Sequence, residues 1–300
     1  FVSSTDTSST LPPYFYLNIK TGTSSLALRQ KVVLNYEQDF EISDKNTLTF
    51  LGEFHRMSDS EFDTIPEIEP YPEDSSNIIL NYPSDYGFVL GLRLASVIGD
   101  ESSGQFNNLT IRYGTRLANG GDGGISRTYQ TFGAPDLEEK NFNGAFSLAV
   151  VEEILLNLSA KNSLNAYLIY TYSKGGAKTN GKALTYLGQE VYNRKQDFTV
   201  GFRDTHVFSD KFHFLSELHY SQRKDGTEDP YSMIKLSLSP TLVPTGENSP
   251  WARPHLRFVF SLARYNEAAK NDLYSPYLSF TGPQNWGYYF GVKAEWWIWK

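Results

Sequence analysis

Along much of the chain apolar and polar side chains alternate one by one, which in an extended strand places every second side chain on the same face. Residues 253–265 put Leu256, Phe258, Phe260 and Leu262 on one face and His255, Arg257, Val259, Ser261 and Ala263 on the other. The run 196–207 sets Phe198, Val200 and Phe202 against Thr199, Gly201, Arg203 and Thr205. In 211–223, Phe212, Phe214, Leu218 and Tyr220 oppose His213, Glu217, His219 and Ser221. Residues 232–239 set Ile234, Leu236 and Leu238 against Lys235, Ser237 and Ser239. The first half repeats the pattern more weakly in 26–36, 48–56, 88–97, 107–113 and 164–172, and Phe15, Leu17 and Ile19 suggest one more run. Turn clusters separate the runs, among them Asp44-Lys45-Asn46, Lys174-Gly175-Gly176 and Lys224-Asp225-Gly226. Alternating segments of about ten residues joined by turns predict an all-β, antiparallel transmembrane barrel of about 16 strands, with 14 to 18 open.

The range is wide because 76–82, 127–132 and 183–192 read as strands or as pieces of loop. In 146–158, Phe146, Val150, Ile154 and Leu158 are also spaced as on a helix. The acidic stretch 58–75 and the glycine-rich stretch 118–124 read as long loops inside a single domain spanning 1–300.

A soluble β-sandwich alternates too, with its charges facing bulk water. The choice turns on what shares the mixed face. It collects Arg29, Arg93, Arg112, Arg203, Arg257, Lys31, Lys235, Lys293, Glu53, Glu217 and Glu295, while the other face is Leu and Phe. Lipid against the apolar face and a wet lumen against the charges satisfies both. Tyr36, Tyr113, Tyr172 and Tyr220 near the run ends suit aromatic girdles at the two membrane interfaces.

Composition changes this picture little. The 20 Tyr, 20 Phe and 5 Trp are ample for girdles and a lined pore. No run of about 18 apolar residues exists, so no transmembrane helix is predicted. Residues 145–158 are broken by Glu152 and Glu153. The N-terminal stretch has no basic region leading into an apolar core, and the chain is taken as mature or truncated. Asp and Glu number 34 against 27 Lys and Arg, which disfavours a nucleic-acid partner. Without cysteine there is no thiolate chemistry and no Cys-ligated metal.

No catalytic pattern emerges. Three of the five histidines, His213, His219 and His255, fall on the mixed face, but no Gly-x-Ser-x-Gly, His-Glu-x-x-His or phosphate-binding glycine motif accompanies them. The carboxylates of 58–75 lack the spacing of a calcium loop. The expectation is neither enzyme nor cofactor nor metal.

Two segments carry a family resemblance. One is Trp251-Ala252-Arg253-Pro254-His255-Leu256-Arg257 with its continuation Ala263-Arg264-Tyr265-Asn266-Glu267; the other is the closing strand from Phe290-Gly291 to Trp296-Trp297-Ile298-Trp299. In these, and in the strands 197–238, the chain resembles maltoporin-type carbohydrate porins over roughly 197–299. The resemblance implies a bacterial outer-membrane channel, a homotrimer surrounded by lipid, and facilitated diffusion of sugars, oligosaccharides such as maltodextrins. It matches Trp251 and Trp297 to rings on which glucose units stack. Parity adds Trp299, and Tyr14 and Tyr16, on the side of Asn18 and Lys20, are candidates for further rings. A sugar offers an apolar C–H face and a rim of hydroxyls, so a ring buries the face while ionised groups bond the rim. Arg203, Arg257, Glu217, Glu295, Lys293, His219, Arg93 and Arg112 are the candidates for the rim. Two other readings stay open: a general or other-solute porin, and a non-transporting structural or adhesin barrel in a larger envelope assembly.

Overall fold

A computed structural model of the protein describes residues 31–61, 81–119, 131–186, 188 and 190–296. Eleven strands form one antiparallel sheet. They are β1 (Lys31–Ser43), β2 (Asn46–Met57), β5 (Asp85–Val97), β6 (Phe106–Thr115), β7 (Phe146–Ser159), β8 (Asn162–Lys174), β11 (Arg194–Ser209), β12 (Phe212–Asp225), β13 (Tyr231–Leu242), β14 (His255–Tyr265) and β15 (Trp286–Glu295). Their order in the sheet is their order in the chain. Two small ladders stand apart, β3 (Ser60–Glu61) with β4 (Asn81–Tyr82) and β9 (Lys182–Leu184) with β10 (Glu190–Tyr192). Two short helices, α1 (Glu267–Asn271) and α2 (Pro276–Thr281), lie between β14 and β15.

The expected count of about 16 is not reached among the described residues. The runs 76–82 and 183–192 contribute only loop ladders, and Phe15, Leu17 and Ile19 lie outside the described residues. The sheet edges β1 and β15 are not paired with each other within this set. The segment with helical spacing, 146–158, is strand β7. Its alternation is blurred because Val151 and Leu155 are apolar on the mixed face, where Leu155 is buried. No helix is long and apolar enough to cross a membrane among the described residues; the long elements are strands.

Cross-strand register sorts the side chains into two faces with little exception. Phe54 and Phe88, Leu94 and Leu109, Leu168 and Val200, and Phe260 and Phe290 meet on one face. Leu34, Leu90 and Phe290 on that face are 62%, 55% and 63% exposed, whereas the side chains of Arg112 and Glu53 on the other are each 13% exposed. Apolar groups more exposed than charges invert the pattern of a soluble sheet and match a wall whose outside meets hydrocarbon. Glu152 departs from this rule on the apolar face, where it accepts a hydrogen bond from Asn107.

The turns Asp44–Lys45, Ala160–Lys161 and Asp210–Lys211 lie at one end with the connections 98–105 and 243–254, and the longest connections, 58–84, 116–145, 175–193 and 266–285, lie at the other, as in barrels with short periplasmic turns and longer outer loops. Rings cluster on the apolar face near the long-connection end. Phe146 stacks on Tyr113 at 6.2 Å and on Tyr172 at 5.3 Å between centroids. Near the other end, Phe208 lies 5.8 Å from Phe212.

At the long-connection end the chain also folds over the polar face. A 3-10 turn, Arg116–Ala118, lies on Gly87 and Gly114, whose register positions belong to that face. A Cβ at Gly87 would come within 2.6 Å of the Ala118 amide, and one at Gly114 within 3.2 Å of the Asn119 Cα. Leu117 then joins Met57, Phe142, Ala145 and Tyr186 in a buried cluster. Asp85 locks the turn: its carboxylate pairs with Arg116 at 2.8 Å and accepts the Phe142 amide at 2.8 Å.

Candidate functional site

The polar face of β11 to β15 holds a cleft of about 390 Å³ lined by Arg203, Glu217, Lys235, Ser237, Ser239, Arg257, Ser261, Tyr289 and Lys293. Four of the expected rim residues, Arg203, Glu217, Arg257 and Lys293, thus meet at one place. Alternation puts each on this face, and register sets them side by side: Arg203 opposes Glu217, and Arg257 opposes Lys293.

Arg203 donates Nε and Nη2 to Glu217 Oε2 at 2.9 and 2.6 Å. This charge-assisted pair braces β11 against β12. Arg257 is held differently. Its Nε is buried without a hydrogen-bond partner among the described residues. A buried donor left open is costly.

Glu295 lies one pair further toward the short-turn end, where it accepts Arg253 Nε at 2.7 Å and Lys293 Nζ at 3.0 Å. It opposes His255 rather than a cleft residue. His219 flanks the other side, between Gly201 and Lys235 in register, with Nδ1 2.8 Å from the Tyr167 hydroxyl. Arg93 and Arg112 belong to a separate group on β5 and β6. Arg93 donates to Thr49 at 3.0 Å and lies 3.7 and 3.8 Å from Glu37 and Asp39, and Arg112 pairs with Glu53 at 2.5 Å.

The aromatic expectations fare differently. Trp251 is 48% exposed in the connection between β13 and β14, so strand parity does not govern it, and it does not line the cleft. Trp297, Trp299, Tyr14 and Tyr16 lie outside the described residues. Two rings on the polar face escaped the sequence reading. Tyr289 lies over Gly291 and Tyr167 over Gly201, so closely that a Cβ at either glycine would overlap the ring. The hydroxyl end of each ring therefore rests against the wall over its glycine. The signal for Tyr289 was present, since the parity that assigned Gly291 and Lys293 to this face extends two residues back. Tyr167 had the same parity in 164–172.

Among the described residues no group of His, Asp and Glu is placed to hold a metal ion. No curated protein sequence matches the chain. A model of the LamB porin family matches residues 14–297, so the kinship read from 197–299 extends through the N-terminal half as well. An inside-out antiparallel sheet, a charged cleft on its polar face and a family match over nearly its whole length place this chain in the LamB porin family, sugar-diffusion porins of the bacterial outer membrane.

Proposed function

We propose that this porin passes oligosaccharides of the maltodextrin class by diffusion along an aromatic and ionised track on the lumen wall, as a homotrimer. The observation that carries the reading is the cleft at Arg203, Glu217, Arg257 and Lys293, with Tyr289 in its lining. It joins what a sugar requires: a flat apolar surface for the C–H face, serine and carboxylate oxygens to accept hydroxyl protons, and guanidinium and ammonium groups to donate. None of these contacts needs a group outside the chain. Passage calls for contacts strong enough to admit the sugar and numerous enough to be exchanged one at a time. Trp251 would take the sugar at the short-turn end, with Trp297, Trp299, Tyr14 and Tyr16 as further rings.

Single-channel recording in planar bilayers with malto-oligosaccharides titrated in tests this. Saturable current block is expected, weakened in Tyr289→Ala, Trp251→Ala and Trp297→Ala. An unblocked current at millimolar sugar rejects the reading.

A second reading, passage of anionic solutes, is favoured by the imbalance of the cleft. Glu217 is engaged by Arg203 and Lys293 by Glu295, which leaves Lys235 and Arg257 without a carboxylate partner among the described residues. Reversal potentials in a salt gradient and block by sugar phosphates separate the two: block by the phosphorylated sugar alone favours the anion.

A further inference from the structure

A cleft with both charged and apolar lining opens on the apolar outside of the wall. It measures about 450 Å³, and its lining includes Tyr220, Ile234, Arg264, Glu267 and Trp286. Register places Arg264 opposite both Ile234 and Trp286, and Ile234 opposite Tyr220, so these four share the apolar face. They sit where β14 ends and β15 begins, at the long-connection end, the level of the outer leaflet.

Arg264 carries the cleft's positive charge. Arg93, Arg112, Arg116, Arg203, Arg223 and Arg253 each have a carboxylate within 4.0 Å, whereas Arg264, like Arg56, Arg194 and Arg257, has none among the described residues. It stands 5.6 Å from the centroid of the Trp286 ring. The cleft's own carboxylate, Glu267, is engaged by Lys270. The rim is fixed from behind. Asn266 accepts the amides of Ala269 at 2.9 Å and Ser232 at 3.1 Å, and Tyr265 and Leu278 are buried in one cluster.

Below Arg264 the same face continues as bare hydrocarbon, with Ile234, Leu236, Leu262 and Phe260 exposed by 46%, 43%, 38% and 50%. A guanidinium with no carboxylate partner, beside the Trp286 ring and directly above apolar surface, suits a molecule with an anionic head and acyl chains. Its planar fork matches phosphate, and interfacial Trp and Tyr accommodate the head. The acyl chains pack on this surface as they do on neighbouring lipid, so they anchor the head at this depth while the phosphate supplies the selectivity.

We infer that this cleft is a binding site for a phosphate-headed lipid of the outer leaflet, with Arg264 on the phosphate, Trp286 and Tyr220 beside the head, and the acyl chains along β13 and β14. The site is independent of the solute that crosses the lumen.

Native mass spectrometry of the protein in an amine-oxide detergent, titrated with bisphosphorylated lipid A, reads retention directly. The wild type is expected to retain the lipid and to release a dephosphorylated counterpart. Arg264→Gln should weaken retention about tenfold, the loss of one charge-assisted contact, with Arg264→Lys in between and Lys161→Gln, at the opposite end, unchanged. Trp286→Phe, which keeps the charge and the ring, should weaken it less than Arg264→Gln; heat-modifiable migration on gels confirms that each variant is folded. Equal retention by Arg264→Gln and wild type, or equal retention of the phosphate-free lipid, overturns the proposal. Displacement by millimolar inorganic phosphate would make it a free-anion site and overturn the lipid occupant.

Discussion

At the scale of residues, the feature that matters most is a pairing of glycine with tyrosine. Gly201 and Gly291 have no side chain, and the rings of Tyr167 and Tyr289 occupy the space where one would be. A ring lying against a wall loses little further freedom when a sugar lands on it, which favours binding by preorganisation. Gly291→Ala should therefore lift the Tyr289 ring and weaken sugar block about fivefold, because an aromatic contact contributes about 1 kcal/mol and tenfold corresponds to about 1.4 kcal/mol. Far-UV circular dichroism should be unchanged. Block as strong as that of the wild type would remove Tyr289 from the track.

At the scale of elements, the 3-10 turn Arg116–Ala118 is the piece that narrows the polar side. It lies there because Gly87 and Gly114 leave room, and it stays there through Asp85, Arg116 and the cluster around Phe142. Arg116 adopts a positive φ of 52°, uncommon for a residue with a side chain, and its ion pair with Asp85 offsets that cost. Gly114→Val would drive a branched side chain into the Ala118 carbonyl and displace the turn. The expected result is larger single-channel conductance and easier proteolysis between β6 and β7, with β-sheet content kept. Unaltered conductance would mean that the turn does not limit the current. Nothing in the pattern of 116–145 announced this element, since a loop's path depends on what it packs against, not on a period.

At the scale of the whole molecule, the sheet works because its two faces have different solvents. Leu236 and Ser237 are neighbours on β13, one turned toward lipid and the other lining the cleft. Leu236→Arg should destabilise the folded protein in lipid by about 2–4 kcal/mol, the cost of a cation near the bilayer midplane. Ser237→Arg should leave stability nearly unchanged and shift the channel toward anions. Urea titration in liposomes reads the first effect and reversal potential the second. Equal destabilisation by both would contradict the assignment of faces.

The strands, their faces and the membrane setting could be read from the sequence, because a strand's period of two writes the difference between lipid and water directly into residue order. Arg203, Glu217, Arg257 and Lys293 could be placed on the polar face in the same way. That they share one cleft, while Arg93 and Arg112 belong to another group and Trp251 stands on a connection, was decided by the tertiary structure. Parity fixes which way a side chain points, but register between strands and the course of the loops determine which side chains meet. The unpaired Arg264 beside Trp286 follows the same rule: each residue was visible in its own strand, and only the pairing of β14 with β15 brought them together on the outer wall.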